Sequence, residues 1–381
     1  MLPLFVSSLL AATPDAPAEF IDDARLVFDV VSCQRLPAPP PLDARVVDAY
    51  CKRMRPKLER FRTHWGVTAR AFIAAQRPEN LPRELVYPFG GGDLMMALTS
   101  FPDAAVITTM SLELAGDPRR LKALSDRKAL EQSLRALDEA ASTTLLSNDS
   151  KSVNLSKLQR GELPGQLSMH LMGLALNDQE PVSVRYFRVE PDGSLHYFTA
   201  AEIDALEATK ATKLKETWKA PDFSPAFANV EVQFVPRGQP SAPRRVHRHI
   251  GANLSDEGLA KTPGLVAHLD AKGEVAAMTK AASYLLWNEA FTTIRGWLVS
   301  HAVFMISDST GVPPRYWKQK GCAVQTFGSF QRSFLGTWEG YQQELREAFA
   351  TAKRLPMRFG YPDGSPEKRN HFMVASCPPG P

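Results

Sequence analysis

From Leu85 to Glu113 the chain reads LVYPFGGGDLMMALTSFPDAAVITTMSLE, two short apolar runs around a glycine turn and an apolar helical stretch. The pattern predicts strand, turn, helix, strand. Val182–Val189 and Leu195–Thr199 flank Pro191-Asp192-Gly193-Ser194 and predict a β-hairpin. Val230–Val235 and Arg244–Ile250 add strands. Between Asp117 and Leu146, leucines 121, 124, 130, 134 and 137 recur at helical spacing after Pro118, which predicts a long helix or a helical pair. Leu42–Gln76 reads as a helix interrupted at Pro56, Ser147–Gly165 as a polar loop and Gln166–Leu176 as helix again.

Two later segments combine apolar runs with reactive side chains. Met278–Trp287, MTKAASYLLW, is expected to open a helix with Lys280 one turn from Ser283 and Tyr284. Val303–Arg315, VFMISDSTGVPPR, reads as a strand ending in Asp308, Ser309 and Thr310, followed by a proline-stiffened turn carrying Arg315. The fold class expected is α/β (or α+β), mostly one large globular unit with a central mixed sheet, flanking helices and an antiparallel hairpin-rich insert. A division into 1–18, 19–177 and 178–381 fits the pattern, the last two forming either separate halves or one continuous domain.

Composition narrows the class. With 381 residues, 44% hydrophobic and 23% charged, the chain can bury a sizeable core. A formal charge of +4 is small and spread along the chain, so nucleic acid is not expected as a partner. Lys52, Arg53, Arg55, Lys57, Arg60 and Arg62 do form a basic face, but only Phe61 and Trp65 interleave with it, and it reads as solvated surface.

The N-terminus speaks to location. Leu2–Ala12 has the length of a signal-peptide core and is too short to span a bilayer, and Ala16-Pro17-Ala18 resembles a cleavage box. The mature chain would then begin at Glu19, periplasmic or secreted, with no transmembrane segment left. The alternative is a cytoplasmic protein whose first residues form a buried strand or helix. Four cysteines, Cys33, Cys51, Cys322 and Cys377, lack metal-knuckle or redox spacing. They read as two disulfides, with the short loops 33–51 and 322–377 favoured among the three pairings, or as four free thiols in the cytoplasmic case.

Gly90, Gly91 and Gly92 before Asp93 place backbone N–H groups at a helix start, a candidate anion cradle. The run matches neither the dinucleotide fingerprint nor a Walker loop, and no cofactor is expected. Lys280 and Arg315 could hold the same anion, while Asp93 and Asp308 hold a cation, a hydroxyl or a proton; equally, Asp93 caps its helix and Asp308, with Ser309 and Thr310, forms a local turn. A triad of Ser309 with Asp308 and His301 or His371 lacks the G-x-S-x-G elbow. His247 and His249 share a face of a strand, but no third ligand is assigned, so no metal is expected.

Three segments, Pro88–Asp93, Lys280–Leu285 and Ser307–Arg315, resemble in order the PFSGPD-like, KAASYLM-like and DDSGIPYR-like segments of a group of uncharacterised bacterial proteins, often with export signals. The resemblance extends to Phe359-Gly360-Tyr361-Pro362; it departs at Gly91, Gly92 and Ser307. It implies no activity or cofactor, only that the three segments belong to one site. Three functions follow as expectations. The first is an exported protein binding a small polar or anionic ligand through Gly90–Asp93, Lys280, Ser309, Thr310 and Arg315. The second is a hydrolase or transferase using Asp308 and Lys280, with Asp93 a further catalytic candidate. The third is a cytoplasmic methyltransferase-like or nucleotide-using enzyme in which Glu113 holds ribose hydroxyls beside the glycine turn.

Overall fold

A computed structural model describes residues 16–34, 41–147, 163, 165–208, 224–330, 339–359 and 370–378. The signal-like core at 2–12, residues 35–40, nearly all of the polar stretch 147–165 and residues 360–362 of the late segment lie outside the described residues.

Among the described residues, ten strands form one sheet. They are β1 (Glu84–Pro88), β2 (Val106–Ser111), β3 (Gln179–Val189), β4 (Leu195–Tyr197), β5 (Asn229–Pro236), β6 (Arg245–Gly251), β7 (Val275–Thr279), β8 (Ala302–Ser307), β9 (Ala323–Gly328) and β10 (His371–Ser376). Their order is β4-β3-β5-β6-β2-β1-β7-β8-β10-β9. The central five, β6-β2-β1-β7-β8, are parallel. β10 runs antiparallel between β8 and β9, and the hairpin strands β3, β4 and β5 extend the opposite edge in antiparallel register. This is an α/β protein with a mixed sheet. From β1 the chain builds outward through β2 to β6, then crosses back to lay β7 and β8 on the other side. The strand order therefore reverses between β1 and β7, the place where open α/β sheets take their ligands at the carboxyl ends of the strands.

Alternation along the strands feeds two cores. Leu85, Tyr87, Ile107, Ala276, Met278, Phe304 and Ile306 face one layer, formed by helices Ile21–Val31, Ala44–Arg60, Leu94–Ser100, Arg127–Ser147 and Gly165–Leu176. Val86, Met110, Val275, Ala277 and Met305 face the other, formed by Asp256–Lys261, Pro263–Asp270, Thr292–His301 and Pro314–Gln319. Leu94–Ser100 and Gly165–Leu176 are buried along their whole lengths, which is why neither carries a polar face.

Two expected elements differ. Helix Ala44–Arg60 runs through Pro56, and the irregularity comes later as a π-helical turn at Phe61–Gly66 before helix Val67–Ala74. Met278 and Thr279 end β7, so Lys280 leaves a strand, and only Leu285–Trp287 is helical, as a single 3-10 turn. Pairing with β8 takes Met278 and Thr279 into the sheet, and bonds from Ala281 and Ala282 to Asp308 and Thr310 override the helix propensity of those alanines.

Cys33 is joined to Cys51 and Cys322 to Cys377. The first bond ties the end of Ile21–Val31 to Ala44–Arg60, the second the start of β9 to the end of β10. Closing the 18-residue separation of the first pair stabilises the fold by about 3 kcal/mol in the chain-entropy account. A Cys33→Ala/Cys51→Ala variant should lose that amount in urea unfolding, and an unchanged midpoint would show that this bond constrains nothing. Among the described residues no helix is long and apolar enough to cross a membrane. Beside the proposed cleavage point, Ala18 donates its N–H to Phe198 O at 2.8 Å, and the Glu19 carboxylate accepts from Val184 N–H and Ser183 Oγ at 2.5 and 2.6 Å. A chain beginning at Glu19 keeps its carboxylate anchor on β3.

Candidate functional site

β1 ends at Pro88, and the chain turns through Phe89 (φ 61°) and Gly91 (φ 44°) into helix Leu94–Ser100. Close packing fixes the glycines on either side of that turn. A Cβ on Gly90 would lie 2.7 Å from the Tyr87 ring, and one on Gly92 would lie 2.5 Å from Gln166 Oε1 and 2.8 Å from Met169 Cβ. Gly173 approaches from the same helix, where a Cβ would sit 2.8 Å from Met95 N. Helix Gly165–Leu176 is thus laid directly on the glycine turn and the start of Leu94–Ser100. The end expected to cradle an anion is covered by protein, and that seven-residue helix is too short to concentrate much dipole there. Asp93 occupies the N-cap position without making a side-chain cap bond.

Its carboxylate turns instead toward the reversal point. Asp93 Oδ2 accepts from Tyr87 OH at 2.9 Å and pairs with Lys280 Nζ at 3.2 Å, and the side chains of Asp93 and Lys280 are both 0% exposed. An ion pair this deep persists only if its geometry offsets the loss of both hydration shells. Beyond Lys280, three of the next four residues are left-handed without being glycine: Ala281 (φ 54°), Ser283 (φ 51°) and Tyr284 (φ 58°). Such backbone costs on the order of 1–3 kcal/mol per residue and persists where surrounding contacts dictate it.

The Asp308-Ser309-Thr310 run supplies those contacts. Asp308 Oδ2 accepts from Ala281 N–H at 2.9 Å, Thr310 Oγ1 accepts from Ala282 N–H at 2.8 Å, and Ser309 Oγ meets Tyr284 OH at 2.9 Å. Asp308 Oδ1 is taken by Thr310 N–H and Thr310 Oγ1 at 2.8 and 2.5 Å. Burial pushes the Asp308 carboxyl above the usual carboxylate range, against these hydrogen bonds and the charge of Lys280. Gly311 completes the clamp, since a Cβ there would fall 2.4 Å from Ser307. Ser283 is the exposed residue of the held loop, and Thr279 Oγ1 at the end of β7 is buried without a hydrogen-bond partner.

A layer of histidines supports the turn. His170 Nε2–H donates to Gly91 O at 3.0 Å. Its ring centroid lies 4.4 Å from that of His247 and 4.9 Å from that of His249, and all three are buried. His249 Nε2–H donates to Glu113 O at 2.7 Å, leaving Nδ1 to accept from Thr109 Oγ1 at 3.1 Å; Thr109 can then accept from His247 Nε2–H at 2.9 Å. These bonds assign the Nε2–H tautomer to every ring. Nδ1 of His170 and of His247 has no partner among the described residues, so an added proton would find no acceptor there. Burial, with the neighbouring rings, drives the pKa of His170 and His247 far below the ordinary histidine value, and burial lowers that of His249. Among the described residues no group of three or more histidines, cysteines or acids is arranged to hold a metal.

The structure therefore gathers Gly90–Gly92, Asp93, Lys280, Asp308, Ser309 and Thr310 into one buried neighbourhood. Arg315 stands apart on the surface, paired with Glu344 and lying over the rings of Trp287 and Tyr316. His301 stacks on Trp297, and His371 packs against Phe330 and Phe349. Glu113 follows β2 with its carboxylate largely buried and Oε2 without a hydrogen-bond partner. Tyr87, Gln166, His170 and Tyr284 complete the neighbourhood, and sequence reasoning does not reach them as site residues. Gln166 and His170, four residues apart in an otherwise apolar helix, are the available signal. Comparison of the chain with protein-family models, curated proteins and solved structures returns no match.

Proposed function

We propose that the protein is an exported binding protein that takes a small polar or anionic ligand at the carboxyl ends of β1, β7 and β8, with Lys280 as its principal contact. The observation that carries this reading is the fully buried Lys280–Asp93 pair at the strand-order reversal, under a loop with three left-handed non-glycine residues. The ligand reaches it when the exposed Ser283 loop lifts off its Asp308–Thr310 clamp. Two disulfides support an oxidising compartment.

The hydrolase or transferase alternative has less support, because Asp308 and Ser309 are engaged by the loop and His301, at the opposite end of β8 from Ser309, is bonded to Trp297 O. A methyltransferase-like or nucleotide-using enzyme is favoured by one observation. The parallel order β6-β2-β1-β7-β8, with antiparallel β10 between β8 and β9, follows a methyltransferase-like sheet, and Glu113 stands at the end of β2. That likeness is one of topology alone. Helix Gly165–Leu176, seated on the glycine turn, opposes it.

A thermal-shift screen against sugars, amino acids, carboxylates, phosphate esters and nucleosides tests the reading. At least one compound class should stabilise the wild type and leave a Lys280→Met/Asp93→Asn variant unmoved. Equal shifts in both proteins for every class that stabilises the wild type, or none in the wild type, would remove the reading; stabilisation by nucleosides alone would favour the enzyme alternative.

A further inference from the structure

The basic face of helix Ala44–Arg60 and the π-turn after it divides in the structure. Arg53 and Lys57 both pair with Asp138 of helix Arg127–Ser147. Lys52, Arg55 and Arg62 instead line a groove of about 820 Å³, which Arg237, just beyond β5, also lines. Four cations face two carboxylates, Asp48 and Glu59. Glu59 lies 3.9 Å from Arg62, and Lys52 and Arg237 have no carboxylate partner among the described residues.

The groove is built, not incidental. Ser32 and Cys33 lie in its wall, so the Cys33–Cys51 bond fixes the end of Ile21–Val31 against the helix that carries the cations. Arg55 Nη2 donates to Cys33 O at 3.3 Å, and Arg237 Nη2 donates to Ala175 O at 3.1 Å, which holds both guanidinium groups in place. The Nε atoms of Arg62 and Arg237 are buried without hydrogen-bond partners among the described residues.

We propose that this groove is a binding site for a small, multiply charged oxyanion, of the phosphate-ester or polycarboxylate class, separate from the Lys280 site. Guanidinium groups bind such oxygens in pairs, and cations gathered in a concavity repel one another until an anion enters. The groove has the volume of a small-ligand pocket.

Calorimetric titration of the full chain with pyrophosphate and with citrate, at matched ionic strength, tests the site. Saturable binding is expected for at least one, weakened about tenfold or more in Arg62→Ala/Arg237→Ala. Lys52→Gln provides a second variant should the double one misfold. Arg53→Ala, whose partner is Asp138, should bind like the wild type. Pyrophosphate binding without citrate would assign the phosphate class, and the reverse the polycarboxylate class. No saturable heat with either anion, or an unchanged dissociation constant in both groove variants, would overturn the proposal.

Discussion

Lys280→Met should destabilise the protein by about 3–5 kcal/mol, because it leaves the Asp93 carboxylate buried and without its cation. The same replacement made together with Asp93→Asn should recover most of that loss. The introduced amide oxygen would still accept from Tyr87 OH, and neither partner would then carry a charge out of water. The recovery separates two roles for the pair. If both charges serve only the fold, the double variant is stable and nothing else changes; if the pair serves a ligand, the double variant is stable and ligand-blind. Urea unfolding of the three proteins gives the energies. A single-variant loss below about 1 kcal/mol, the range of exposed pairs, would mean that water already reaches Lys280.

Acid should destabilise the fold well before its carboxylates titrate. The folded-state pKa values of His170, His247 and His249 are depressed, while each takes up a proton near the ordinary value of about 6.5 once unfolded. Between those values the unfolded chain binds more protons, so stability is fully present above the unfolded pKa and falls as pH drops through it. Three such rings remove up to about 4 kcal/mol between about pH 7.5 and 5.5. His170→Gln keeps an N–H for Gly91 O and cannot take up the proton, so it should remove about a third of that dependence. Unfolding free energies at the two pH values check both statements. A flat profile would mean that the rings find an acceptor for the added proton. Because His170 holds Gly91, the glycine turn and helix Gly165–Leu176 should lose hydrogen-exchange protection first as pH falls.

Much of the scaffold was legible in the chain. Apolar runs bounded by glycine and proline marked β1, β2 and the β3–β4 hairpin, and the residue types at Gly90–Asp93, Lys280 and Asp308–Thr310 marked a shared neighbourhood. What the chain could not display was the work each group does. Three glycines before a helix look alike whether an anion or another helix approaches them, and Gln166, Met169 and Gly173 arrive from beyond the next strand. Met278–Trp287 reads as helix because alanine favours helix locally, whereas its conformation is set by β1, β8 and the Asp308 clamp. His170 meets His247 and His249 only through the fold, so the HxH pair alone could not reveal a layer whose hydrogen bonds require neutral rings.

The central claim is that a ligand is held at Lys280, and calorimetric titration of the strongest stabilising compound tests it most directly. The account predicts a saturable site in the wild type that a folded Lys280→Met/Asp93→Asn protein lacks. Binding of equal strength to both would contradict it.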